Sequence, residues 1–147
     1  YTTLNGGGGG GGYGISGKGG TGGGGVIFLA MLFAAQDCAN AVAQSNMTRC
    51  AVRAYETADA ALNRQWKTTL ATMRRFDATP ERDGRPGYAD QLLKAQRAWL
   101  SYRDEHCRSA GYAMRGGSAE PMVVASCRAR LTEERTRQLA QLIREGG

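Results

Sequence analysis

The chain has 147 residues and a formal charge of +6, which limits it to one modest domain. No stretch reaches the roughly 20 apolar residues of a membrane-spanning helix. The four cysteines, spaced by 12, 57 and 20 residues, lack the close ligand pairs of a structural zinc site.

Residues 1–25 hold most of the 22 glycines, open on Tyr1 rather than Met, and are expected to be disordered. A run such as Gly6 to Gly12 cannot repay the entropy of ordering. Residues 26–37 begin with Val26 to Ala35, ten apolar residues that are too few to span a bilayer but suit the core of a secretory signal peptide. The foldable part is then residues 38–147. Its cysteines, Cys38, Cys50, Cys107 and Cys127, read as two disulfides in an oxidising compartment, periplasmic or secreted. Gln36 and Asp37 precede Cys38 where a lipid-attachment signal needs small residues, so a soluble form is expected rather than a lipoprotein.

From Ser45 to Phe76 apolar residues recur at helical steps, through Ala51, Ala58, Leu62, Trp66 and Met73, with Ser45 or Asn46 as cap. Residues 79–87 carry two prolines and two glycines and form a loop. A second helix runs from Tyr88 to about Ala110, with Leu92, Ala95, Trp99, Tyr102 and His106 on its apolar face. Ser118 then caps a third helix, with Pro121 in its first turn, that continues to Arg144. The fold class is therefore all-α, a small antiparallel three-helix domain stapled by two disulfides. The first two helices should pair, bringing Cys50 level with Cys107 and leaving Cys38 for Cys127, although four cysteines permit three pairings.

No serine–histidine–acid set, phosphate loop or metal cluster is visible, so neither a cofactor nor a metal is expected. His106, the only histidine, continues an apolar face and reads as a core or interface residue. Glu56, Asp59 and Asp104 offer carboxylates for glycoside hydrolysis, but they stand at ion-pair spacings from arginines. The chain reads as a binding protein rather than an enzyme. Lys18 and Asp37 are the only charges before Cys38, so the foldable part carries the whole +6. An anionic cell-wall polymer is one partner that such an arginine-rich surface fits. Nucleic acid is disfavoured, because the cations are interspersed with acids.

Several blocks stand out: Met47-Thr48-Arg49-Cys50-Ala51, Ala58-Asp59-Ala60-Ala61-Leu62-Asn63, Ala95-Gln96-Arg97-Ala98-Trp99 with Tyr102-Arg103-Asp104 and Cys107 after it, Gly116-Gly117-Ser118, Cys127 and Leu131-Thr132. Together with Cys38 they resemble the LprI-type lysozyme inhibitor domain of bacterial periplasmic proteins and lipoproteins, over about residues 38–142. The resemblance implies an exported, disulfide-bonded helical domain with a protein partner such as a lysozyme. Asp59, Asn63, Gln96, Arg97, Arg103 and Asp104 match the family pattern and suit a polar network between helices. An inhibitor must also present an edge to the enzyme's sugar cleft. Arg115, Gly116, Gly117, Ser118 and Glu120 are the candidate contact, since glycines allow close backbone approach. The same segment serves equally as a plain turn before the third helix.

Overall fold

The computed structural model describes residues 38–79 and 83–145. The Gly-rich segment and the signal-like apolar run lie outside the described residues. Of residues 1–40, only 38–40 are described, and they form a helical turn.

The unit from Ala41 onward is built of three helices: α1 (Gln44–Phe76), α2 (Tyr88–Gly111) and α3 (Glu120–Glu145). A single 3-10 turn (Tyr112–Met114) follows α2. No strand occurs among the described residues. No helix among them is long and apolar enough to cross a membrane.

Chain direction alternates. Near the start of α1, Gln44 Nε2 lies 3.5 Å from Met122 Sδ at the start of α3. Near its end, the Thr69 hydroxyl donates to the Leu139 carbonyl at 3.0 Å. Helices α1 and α3 therefore run parallel, with α2 antiparallel to both. The expected pairing of the first two helices is thus not the main one, because the most extensive contact is between α1 and α3. The physical reason is that α1 buries its apolar stripe, Ala51, Ala58, Leu62, Trp66 and Met73, while α3 buries Ala125, Ala129, Leu131 and Leu139. Small alanines on both helices permit close approach. Thr69 belongs to the same seam and is fully buried, its hydroxyl satisfied by the Leu139 carbonyl.

The buried line of α2 is Leu92, Gln96, Arg103, Cys107 and Gly111. This is rotated from the expected face. Ala95, Tyr102 and His106 are exposed, and His106 stacks on Tyr102 with ring centroids 5.3 Å apart. His106 is therefore a surface residue rather than a core one. Periodicity misplaced the face because the polar Gln96 and Arg103 are buried, and a hydropathy pattern counts them as solvent-facing.

Helix starts also differ from expectation. Helix α1 begins at Gln44 with Ala43 before it and no side-chain cap, so neither Ser45 nor Asn46 fills that role. The start of α2 is capped from a distance. The Asp77 carboxylate, just past the end of α1, accepts from the Tyr88 N–H at 2.7 Å and the Ala89 N–H at 3.0 Å. These are two of the donors a helix start leaves unpaired. A Cβ on Gly87 would stand 2.7 Å from an Asp77 carboxylate oxygen, so glycine is needed for that cap to close.

Cys107 is fully buried and bonded to Cys127, with the two Cα atoms 5.5 Å apart. Cys38 and Cys50 are disulfide-bonded as well, and no cysteine is free. The Cys107–Cys127 bond overturns the pairing of Cys50 with Cys107 and of Cys38 with Cys127. Cys107 lies on the α2 line that meets α3, and Gly111, one turn on, faces Val124 so closely that a Cβ there would sit 2.5 Å from Val124 Cγ2. The short return of the chain after α2 thus brings Cys127, not Cys50, level with Cys107. All four cysteines being oxidised fits an oxidising compartment.

A Cys107→Ser, Cys127→Ser double variant should lose about 3 kcal/mol, the loop-closure value for a separation of 20 residues. Urea melts of the variant against the parent measure this, and coincident curves would show that the bond does not brace the α2–α3 pair.

Candidate functional site

Two groups of residues stand out: a polar cluster inside the bundle and an exposed loop at one end. The cluster centres on Arg103 of α2, only 5% exposed. Its Nε donates to Asp104 Oδ1 at 3.0 Å, and its Nη2 stands at the same distance from that oxygen. Its Nη1 lies 3.7 Å from Asp59 Oδ1 of α1 and 3.5 Å from the Thr132 hydroxyl of α3. The guanidinium is also 5.3 Å from the Tyr55 ring centroid and 5.2 Å from that of Trp99. One side chain thus touches all three helices.

Its carboxylate partners are themselves engaged. Asp59 Oδ2 accepts from Asn63 Nδ2 at 3.0 Å, and Asp104 Oδ1 is 3.4 Å from Arg128 Nε. A second guanidinium, Arg135 of α3, donates from Nε to Gln96 Oε1 at 3.0 Å and from Nη1 to Gln138 Oε1 at 3.2 Å. It lies 5.9 Å from the Trp99 centroid. Of the six residues matching the family pattern, the structure brings Asp59, Asn63, Arg103 and Asp104 together, with Gln96 alongside through Arg135. Arg97 is exposed and is not among these contacts.

Sequence reasoning missed Tyr55, Trp99, Arg128, Thr132 and Arg135 as members of the cluster. A signal existed for the last three. Positions 128, 132 and 135, followed by the buried Leu139, recur at three- and four-residue steps and share one face of α3. The carboxylates weighed for hydrolysis divide in the same way. Asp59 and Asp104 are held by guanidiniums, whereas Glu56 is exposed on α1. Among the described residues no group of His, Cys, Asp or Glu side chains is arranged to hold a metal ion.

The loop joins α2 to α3. Gly116 has φ +76°, a conformation that L side chains rarely adopt. Its N–H donates to Glu120 Oε2 at 2.8 Å, while the Glu120 N–H donates to the Gly117 carbonyl at 3.2 Å. The Gly117 N–H reaches the Met114 carbonyl at 2.8 Å. Helix α3 starts at Glu120, so Ala119, not Ser118, is the residue before it. Ser118 does not take the expected place: the Glu120 carboxylate folds back onto the Gly116 N–H and braces the loop, and Ser118 is left exposed. The Arg115 guanidinium lies 4.9 Å from the centroid of Tyr112. Tyr112 and Met114, both about half exposed, flank the loop. All five candidate contact residues therefore sit at one end of the bundle on a turn whose shape is set internally.

The family model for the lysozyme inhibitor LprI matches residues 35–139. The chain belongs to the LprI family. It is also 44% identical over 110 residues to an uncharacterized protein of Rhizobium meliloti (strain 1021), covering 73% of this chain and 78% of that one. No solved structure matches this LprI-family chain. The matched span contains all three helices up to Leu139, the four cysteines, the Arg103 cluster and the loop.

Two outcomes test the cluster. Arg103→Met should cost about 2–3 kcal/mol in a denaturant melt, less than for a fully buried pair because Asp59 and Asp104 keep some solvent contact. Arg103→Lys should recover only part of this, since an ammonium cannot span both carboxylates and lie against both rings. The second concerns Tyr55. Burial pushes its phenol above the ordinary value of 10.0, opposed by Arg103 and reinforced by Asp59 and Asp104. The folded state holds this proton more tightly than the unfolded one. The associated stability is intact below the unfolded pKa and is lost as pH rises through the folded one. Tyr55→Phe should therefore flatten the alkaline fall in melting temperature, and an unaltered fall would remove Tyr55 from its cause.

Proposed function

We propose that this protein is exported and inhibits a lysozyme or another cell-wall lytic enzyme by binding it, without catalysing a reaction itself. The observation that carries the reading is the exposed turn from Arg115 to Glu120, found within a chain of the LprI family. Lytic glycosidases hold a pair of carboxylates beside the scissile bond of the sugar. A partner that enters that cleft needs a narrow, pre-shaped edge and a group complementary to negative charge. Gly116 and Gly117 keep the edge narrow. The Glu120 carboxylate and the Met114 carbonyl hold its shape through backbone N–H groups, so little ordering entropy remains to be lost on binding.

In this reading Arg115 supplies the charge complement and Ser118 a hydroxyl that can both donate and accept. Glu120 serves as the brace rather than as a contact. Tyr112 and Met114 supply the apolar anchors that protein interfaces concentrate near their centre. The oxidised cysteines support an extracytoplasmic site of action, where a cell-wall lytic enzyme is met.

The test is a peptidoglycan-lysis assay titrated with the pure, oxidised protein, using lysozymes of the c, g and i types. Inhibition that saturates near one-to-one with at least one of them is the expected outcome. Arg115→Ala and Met114→Ala should then each weaken it by about tenfold or more, while Lys67→Ala, an exposed residue of α1, should leave it unchanged. A folded, oxidised sample that inhibits none of the three types would overturn the reading.

A further inference from the structure

At the opposite end of the bundle from the Arg115–Glu120 loop, the last turns of α1 and α3 and the first turns of α2 enclose an open groove of about 870 Å³. That is within the usual range for a site taking a small organic ligand, about 300–1,000 Å³. Its apolar wall is formed by Met73, Phe76, Leu92, Ala95 and Leu142, with Tyr88 set edge-on to Phe76 at 5.6 Å between centroids. Tyr88 and Leu142 are 47% and 42% exposed, respectively, so the apolar surface is open to solvent.

Among the described residues the charge on the lining has one sign: Arg75 and Arg135 are the ionisable groups there other than the Tyr88 phenol. Among the described residues, neither arginine has a carboxylate within ion-pair distance. Arg75 reaches the Thr72 hydroxyl, and Arg135 the neutral amides of Gln96 and Gln138. This contrasts with Arg103, which has two carboxylates. Burial lowers the Arg135 pKa from its ordinary value, the cost of a half-buried cation that lacks a counter-charge. Beside it, Gln96 is 1% exposed and its Nε2 has no hydrogen-bond partner. A half-buried cation thus stands at one side of an apolar groove, with the unsatisfied Gln96 amide behind it in the core rather than in the lining.

We propose that this groove binds a single-chain fatty-acyl anion, its chain along Met73, Phe76, Leu92 and Leu142 and its carboxylate at Arg135 and Arg75. The choice of an acyl chain over an extended peptide follows from the walls. They are mainly the sides of helices, whose backbone N–H and C=O groups are already paired within the helix. An extended peptide laid there would leave its own backbone groups unsatisfied, whereas an acyl chain has none to satisfy. The carboxylate is the head group that supplies the missing counter-charge.

The experiment uses the full oxidised chain and three probes that share a twelve-carbon tail, each kept below its micelle concentration: laurate, dodecyltrimethylammonium and dodecyl maltoside. Backbone amide shifts in NMR titrations report the site. Laurate should saturate with shifts centred on Met73, Leu92 and Leu142, and should bind at least about tenfold more tightly than the cationic probe, as a charge-assisted contact requires. Arg135→Gln should abolish that preference and Leu142→Asp should weaken laurate binding. Leu142 is exposed, so the latter variant keeps its fold. The comparison of head groups on the parent protein stands even if Arg135→Gln fails to fold. Equal affinity for all three probes, shifts centred elsewhere, or groove shifts that follow protein concentration instead of laurate would each overturn the proposal. The last result would assign the groove to a second copy of the chain. Inhibition of lysozyme is a separate readout, so failure of one reading leaves the other standing.

Discussion

The guanidinium of Arg103 is the point through which the three helices are held in register. Its charge is almost wholly withdrawn from water, a state tolerated only when partners surround it. Those partners come from every helix: Tyr55 and Asp59 from α1, Trp99 and Asp104 from α2, and Thr132 from α3. An apolar seam can slide by a turn and still bury similar area. A guanidinium with two carboxylates, a hydroxyl and two ring faces has far fewer acceptable positions. The α1–α3 seam supplies the burial, and the Arg103 cluster specifies which turns of the helices face each other.

The two ends of the bundle follow from that arrangement. At one end, the Cys107–Cys127 bond and the close packing of Gly111 on Val124 clamp α2 to α3. The turn between them is forced to be short, and Gly116 and Glu120 give it a defined shape. At the other end no disulfide is present among the described residues. The Asp77 carboxylate caps α2 there, and the helix ends border an open apolar groove. A turn shaped by its own hydrogen bonds and an open apolar groove thus occupy opposite ends of one small scaffold.

Much of this was legible in the chain. The three helices were read within about two residues at each end, since proline and glycine mark the breaks and leucine, alanine and tryptophan recur at helical steps. The family blocks around Cys50, Trp99 and Cys107 pointed to LprI, and the family match covers the same span. The face of α2 was not legible. Gln96 and Arg103 are polar by type but buried in fact, and only partners distant in sequence make that burial tolerable. The exposed Ala95, Tyr102 and His106 misled for the complementary reason, because an apolar or aromatic residue carries no mark of whether anything covers it.

By itself the sequence determined the all-α class, the family and the chemistry of the oxidised cysteines, because these depend on local period, local breaks and residue type. Only the tertiary structure decided that α3 rather than α2 is the main partner of α1, that Cys107 bonds Cys127, and that Glu120 rather than Ser118 closes the loop. Each of those outcomes depends on which turns of distant helices stand level. That level is set by side chains meeting across the bundle, above all around Arg103, and no property of a single helix encodes it.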